Sequence, residues 1–250
     1  MSDSESQALR IAAEDPLGRE ARRELPRRLV PALLSIGQDL RVGGWMHGTD
    51  RIQHVSPFGN GDDGVVALGY VVEVAAALLS GASAALDAGN LYAAAALVRQ
   101  VVEAEYLAWA FADDRDEAAD WLRSTREQRL QRWQPRHLRQ RSDGRFRGSD
   151  YHLHCEFGGH PTPGGARSYL NCSHDKALLF TEVLWFELSS HGQSMWRYTC
   201  HALEDFGYDF LLLAEVGHQA PGSAALVAPA ADNWLASERM QPRLDQVPTA

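Results

Sequence analysis

Apolar and polar positions along this chain alternate with helical spacing, and the strongest signal is Leu91–Phe111, LYAAAALVRQVVEAEYLAWAF. It is long enough for nearly six turns and apolar on almost every side, interrupted only by Arg99, Gln100, Glu103 and Glu105. A helix that is hydrophobic all round has to be surrounded, so this one is predicted at the centre of a bundle. Val65–Leu86 is a second long apolar helix. The two are joined by DAGN, in which Gly89 suits a helix C-cap, so short a link makes them antiparallel neighbours.

Weaker signals fill in the remainder. Leu17–Arg41 reads as a helix that Pro26 and Pro31 should bend or split. Gly43–Gly64 reads as a long loop, a lid or packed segment, because Trp45, His47, His54 and Phe58 need somewhere to go. An acidic break at Asp113–Asp120 opens a helix over Asp116–Gln134, ended or kinked by Pro135. A short helix over Ser149–Phe157 stops at Gly158–Gly159, and Pro161 and Pro163 hold an extended turn. Ser173–Ser190 and Gln193–Val216 follow as two helices separated at Gly192. The fold expected is all-α: a single helical bundle of five or six main helices over 16–218. A frayed segment precedes it at 1–15, and an irregular Ala/Pro-rich tail follows at 219–250.

Composition narrows this picture. At 250 residues the chain can bury a sizeable single core. Three cysteines, Cys155, Cys172 and Cys200, form no CxxC pair and fit a reduced, cytoplasmic setting. The polar opening MSDSESQALR does not read as a signal peptide. Glu73 inside Val65–Leu86 argues for a buried helix and against a membrane partner. The formal charge of −9 is unevenly spread: Trp121–Arg147 carries nine arginines against Glu127 and Asp143. Those arginines, Arg136 and Arg139 among them, either bind an anion such as RNA or a nucleotide, or pair with the chain's own acids or a second subunit.

Candidate chemistry concentrates in two places. Arg99 and Glu103, four apart on the central helix, share a face and can pair. If that pair is buried, losing Glu103 costs about 3–5 kcal/mol. The second is Tyr151–Gly165, YHLHCEFGGHPTPGG, whose short helix puts His152 and Glu156 on one face, with His160 just past its end. The Gly-Gly and proline corner is rigid enough to hold catalytic groups, and His160 with His152 or His154 is expected to face Glu103 across a cleft. A neutral imidazole there suits a general base or a metal ligand. A mononuclear site could draw on His152, His154, Glu156 and His160, perhaps with Glu103.

The segments RQVVEAEYLAWAF, GRFRGSDY and HCEFGGHPTP together resemble a group of bacterial helical proteins that in turn resembles the HEPN (higher-eukaryote and prokaryote nucleotide-binding) superfamily, over roughly residues 63–190. The resemblance implies a helical bundle, often dimeric, that is either a ribonuclease of a toxin or defence system or an inactive binding module. It also implies a catalytic Arg and a following His with four to six residues between them. Arg41/His47, Arg132/His137, Arg147/His152, Arg147/His154 and Arg167/His174 all fit that spacing. Arg147 with His152 or His154 is preferred because the basic stretch and the short helix meet there, with the histidine moving the 2′-hydroxyl proton and the arginine stabilising charge on phosphate. The leading expectation is therefore a homodimeric RNA- or nucleotide-interacting protein, a metal-independent ribonuclease needing no cofactor. Its catalytic residues would be Arg147, His152, His154 and His160. Its ligand contacts would be Arg99, Glu103, Arg136, Arg139, Tyr151 and Glu156. Two alternatives stand beside it: a non-catalytic helical interaction module, and a small-molecule metalloenzyme using the His152/His154/Glu156/His160 cluster.

Overall fold

A computed structural model describes residues 16–47, 62–146, 148–159, 161–170 and 172–205. These residues are all-α, with no strand among them. Four long helices form the frame: α1 (Pro16–His47), α2 (Asp63–Asp87), α3 (Leu91–Ala112) and α9 (His174–Asp205). Each packs on the next, α1 on α2, α2 on α3 and α3 on α9, and α9 returns to α1. Five short helices lie between α3 and α9 in the chain: α4 (Arg115–Arg123), α5 (Arg126–Arg132), α6 (Pro135–Arg141), α7 (Gly148–His154) and α8 (Pro163–Leu170). A single π turn, Cys155–Gly159, continues α7.

The closest approach in the frame is between α1 and α2. A Cβ on Gly37 would stand 2.9 Å from the Glu73 amide nitrogen, and one on Gly69 would stand 2.8 Å from the Gly37 carbonyl. Bare backbone at both positions lets the helices touch there. Beside that crossing Arg41 Nε donates to Glu73 Oε1 at 2.5 Å, so the acid in the middle of the apolar α2 is paired inside the bundle. α2 is long and apolar enough to cross a membrane, but most of its apolar stretch is buried in the bundle. The α2–α3 corner follows the expected chemistry: Gly89 takes a positive φ of 70°, and Asn90 caps α3 by accepting from the Ala93 amide.

Four boundaries differ from the sequence reading. Pro26 and Pro31 do not split α1, whose Leu25, Leu29, Leu33, Ile36 and Leu40 are all buried; burial along that stripe outweighs the lost backbone bonds. The helix expected over Asp116–Gln134 is two helices, because Ser124 and Thr125 are extended and Thr125 restarts the chain with a capping box to Gln128. Pro135 then occupies the first turn of α6. Gly192 does not break α9. A Cβ there would lie 3.3 Å from Leu79 and 3.4 Å from Leu29, so the glycine serves close packing on α1 and α2. Pro163 likewise opens α8 instead of holding an extended turn. The loop expected at 43–64 and the tail from 219 fall largely or wholly outside the described residues.

Candidate functional site

The side of α3 that faces the short helices meets α7, the π turn and α9. Gly158 sets this junction: a Cβ on it would overlap the backbone of Ala95, so only glycine lets the π turn lie flat on α3. π turns of this kind recur at functional positions in helices. The junction turns α7 so that Tyr151 and His154, three apart and therefore on one face, point into the bundle. His152, Leu153 and Glu156 are exposed.

On one flank Tyr151 completes the Arg99–Glu103 pair. Arg99 Nη2 lies 2.7 Å from Glu103 Oε1, the Tyr151 hydroxyl donates to the same Glu103 oxygen at 2.8 Å, and Arg99 Nη2 donates to the Tyr151 oxygen at 3.2 Å. The expected pair is present, but its side chains keep 21% and 31% of their exposure, so it is half-buried. Arg139 of α6 stacks on the Tyr151 ring with its guanidinium carbon 4.2 Å from the centroid, and Arg99 lies 5.8 Å from the same centroid. Burial first, and then the bond to Glu103, push the Tyr151 hydroxyl well above the ordinary tyrosine range. Burial works against the Arg99 charge, but bonds to Tyr151 and Cys155 and the Glu103 carboxylate outweigh it and hold Arg99 firmly protonated.

On the other flank His191, from the middle of α9, stands between two carboxylates. Its Nδ1 is 2.6 Å from Oε2 of Glu105 on α3, and its Nε2 is 3.3 Å from Oε2 of Glu187 one turn back on α9. His154 Nε2 approaches the same Glu187 oxygen at 3.6 Å, and the two imidazole rings are 5.4 Å apart, edge to face. Glu105 is only 4% exposed. Burial alone would lower the His191 pKa, yet the Glu105 and Glu187 carboxylates raise it from 6.5 to about 10. Burial would raise the Glu187 carboxyl, but the His191 hydrogen bond and the charges of His191 and His154 pull it below its usual value. Tyr169 of α8 borders the cluster, its hydroxyl pushed up to about 12 by burial and by the Glu187 charge.

Several sequence-selected residues lie elsewhere. Arg147 and His160 fall outside the described residues. His152 and Glu156 share a face as expected, but it is the exposed one, so they do not join His154 in a single cluster. His154 meets Glu187, and the group that meets Glu103 is Tyr151. Arg136 is exposed and donates to His137 at 3.1 Å. Much of the arginine run is paired internally: Arg123 with Asp63, Arg132 with Asp120, Arg141 with Glu117, and Arg145 with the Tyr198 hydroxyl. Sequence reading missed Glu105, Glu187 and His191. Their signal was the four-residue spacing of Glu187 and His191, which goes unseen when a helix is ended at Ser190.

No protein-family model, curated protein or solved structure matches the chain. What the cluster can do chemically follows from its atoms. One ligand atom each from His154, Glu187 and His191 lie within 4.8 Å of one another. Two imidazoles and a carboxylate are a donor set for zinc or ferrous iron, with coordination positions left for water or substrate.

Proposed function

We propose that this helical bundle binds one divalent transition-metal ion at His154, Glu187 and His191, and that the ion acts as a Lewis acid on a small-molecule substrate. The observation that carries this reading is the Glu105 carboxylate at 2.6 Å on Nδ1 of His191. A carboxylate on one ring nitrogen fixes the tautomer and aims the other nitrogen, here toward Glu187, as metal-bound histidines require. Charge supports it too. Glu105 and Glu187 bring two negative charges into a largely buried place, and a dication with neutral imidazoles balances both. A proton on His191 balances only one. Of the described members of the histidine–glutamate set drawn from the sequence, His154 takes part and the exposed His152 and Glu156 do not.

The test is metal content. Protein incubated with zinc or cobalt(II) and then dialysed should retain about one ion per chain, and the cobalt form should show the visible absorption of a four- or five-coordinate site. His191→Ala and Glu187→Gln should each lose it. Wild-type protein retaining no stoichiometric metal at neutral pH refutes the reading and leaves Glu105–His191–Glu187 as a proton-bound structural network.

An RNA- or nucleotide-directed role, in line with the HEPN resemblance, is the second reading. It is favoured by Arg126 and Arg136, both exposed and with no acidic partner among the described residues. It ranks second because Arg123, Arg132 and Arg141, three of the nine arginines of the basic run, are already in ion pairs.

A further inference from the structure

We propose that the outer face of the α1–α2 pair docks a second copy of this chain, giving a two-fold dimer with four helices at its interface. No ligand of the proposed metal centre lies on α1 or α2, so the inference stands apart from that reading.

Two ion pairs mark out the face. Arg27 Nη2 donates to both Asp87 oxygens at 2.8 and 2.9 Å, and Arg41 Nε donates to Glu73 Oε1. Arg27, Leu34 and Arg41 follow one another at seven-residue spacing on α1, as Glu73, Ser80 and Asp87 do on α2. Positions seven apart drift only about 20° around a straight helix, so each trio lies on one side. Both bridges therefore cross the α1–α2 seam on the same side, about 21 Å apart, with Leu34 midway. Between them the face carries no charge, because residues 29–38 and 74–86 contain neither acid nor base. Pro31, Ala77 and Ala84 are exposed there, Leu34 keeps 40% of its exposure and Val74 52%. A solvated helix face ordinarily carries charged side chains, and a contiguous apolar patch marks a place of association.

What fits the face is decided by how charge and size are divided across the seam. Both cations, Arg27 and Arg41, stand on α1, and both anions, Asp87 and Glu73, on α2. The bulkier exposed residues midway, Pro31 and Leu34, are also on α1, and α2 offers Ala77, Ser80 and Ala84 across from them. A two-fold axis along the seam lays α1 of one copy over α2 of the other, antiparallel and in the same register. Arg27 then stands over Asp87 of the second copy, Arg41 over Glu73, and Leu34 enters the shallow place left by Ala77 and Ser80. Each contact occurs twice, so the surface is complementary to itself. An anionic membrane surface calls instead for a cationic rim, whereas both ends of this face are neutral and the chain carries −9. The uncharged band, about 21 Å long over two helices about 8–10 Å apart, presents on the order of 400 Å². With its rim that makes a small specific interface, so the dimer should come apart on dilution.

The test is sedimentation equilibrium of the full chain, chelator-treated, between about 1 and 100 µM. The mass should climb with concentration from that of one chain toward that of two. Leu34→Glu and Ala77→Lys should each weaken association about tenfold or more, by setting an unpaired charge against the second copy. Their circular dichroism should stay that of the wild type, because both positions are exposed. Mixing the two variants should restore association, since one contact then pairs the new carboxylate with the new amine and the other is wild-type. A wild-type chain that stays monomeric throughout, or a dimer indifferent to both substitutions, overturns the proposal. Failure of the mixture to associate overturns the two-fold along the seam. Flotation of monomeric protein with vesicles of anionic lipid would assign the face to a membrane and overturn it equally.

Discussion

Replacing His191 by alanine removes the one cation held between Glu105 and Glu187, and its cost can be worked out by two routes. In metal-free protein the two carboxylates raise the His191 pKa from 6.5 to about 10. A displacement of that size corresponds to about 5 kcal/mol of preferential stabilisation of the imidazolium in the folded state. Direct measurements on buried pairs that lose one partner give about 3–5 kcal/mol, since an unpaired buried charge remains. Glu105, with a side chain 6% exposed, would be that charge. The two routes agree, so His191→Ala is expected to lose about 3–5 kcal/mol near neutral pH, a fall in melting temperature of about 10 °C. The sign with pH follows from linkage. A group whose folded pKa is raised contributes fully below its unfolded value, and the contribution is lost as pH rises through the folded one. Wild-type stability should therefore decline between about pH 6.5 and 10, while the variant stays flat for this term and the two curves converge at the alkaline end. The groups facing His191 are Glu105 from α3, Glu187 on α9 and His154 from α7. Tyr169, at about 12, titrates above the window. The assay is urea unfolding with chelator present, at intervals across that range. Parallel pH curves for wild type and His191→Ala would refute the reasoning and place the charge of His191 in solvent.

Two smaller perturbations test the neighbouring parts. Glu103→Ala should cost about 1–2 kcal/mol in the same unfolding assay, between a solvated ion pair and a fully buried one, because the Arg99–Glu103 pair is half-buried; a loss of 3 kcal/mol or more would show the pair is sealed. Gly158→Ala should cost about 1–3 kcal/mol through overlap with the Ala95 backbone, and it should also lower metal retention by moving His154. A neutral Gly158→Ala would show that the π turn can lift off α3 without penalty.

The all-α class and the central place of Leu91–Phe111 were legible because long apolar helices advertise themselves by composition and period. The Arg99–Glu103 pair was legible for the same local reason, four-residue spacing on one helix. Local rules failed where tertiary packing outvoted them. Gly192 looks like a helix end, yet it is a contact surface for Leu29 and Leu79, and ending the helix there hid Glu187 and His191 from each other. His152 and His154 were indistinguishable by residue type; only the seating of the π turn on Ala95 decides which one faces inward. Glu105 read as one more polar interruption, because nothing near it in sequence reveals the His191 it meets 86 positions away. Which arginines of the basic run pair internally was not legible either, since the acids that meet Arg123, Arg132 and Arg141 sit on α2 and α4.

The unbroken course of α9 has a bearing on how the proposed centre would take up and release its ion. Glu187 and His191 sit four residues apart within 32 continuous helical residues, about 6 Å along the axis, so their bite is fixed by the helix itself. His154 comes from a separate seven-residue helix, held on α3 by the Gly158 contact and by the bonds of Tyr151 to Arg99 and Glu103. The site would thus be a rigid two-toothed chelate with a third arm from another helix. An ion of different radius would be accommodated by tilting α7 and not by spreading α9. Loss of the ion would begin with His154 swinging away, which makes the exchange rate a property of the π turn and the affinity a property of α9.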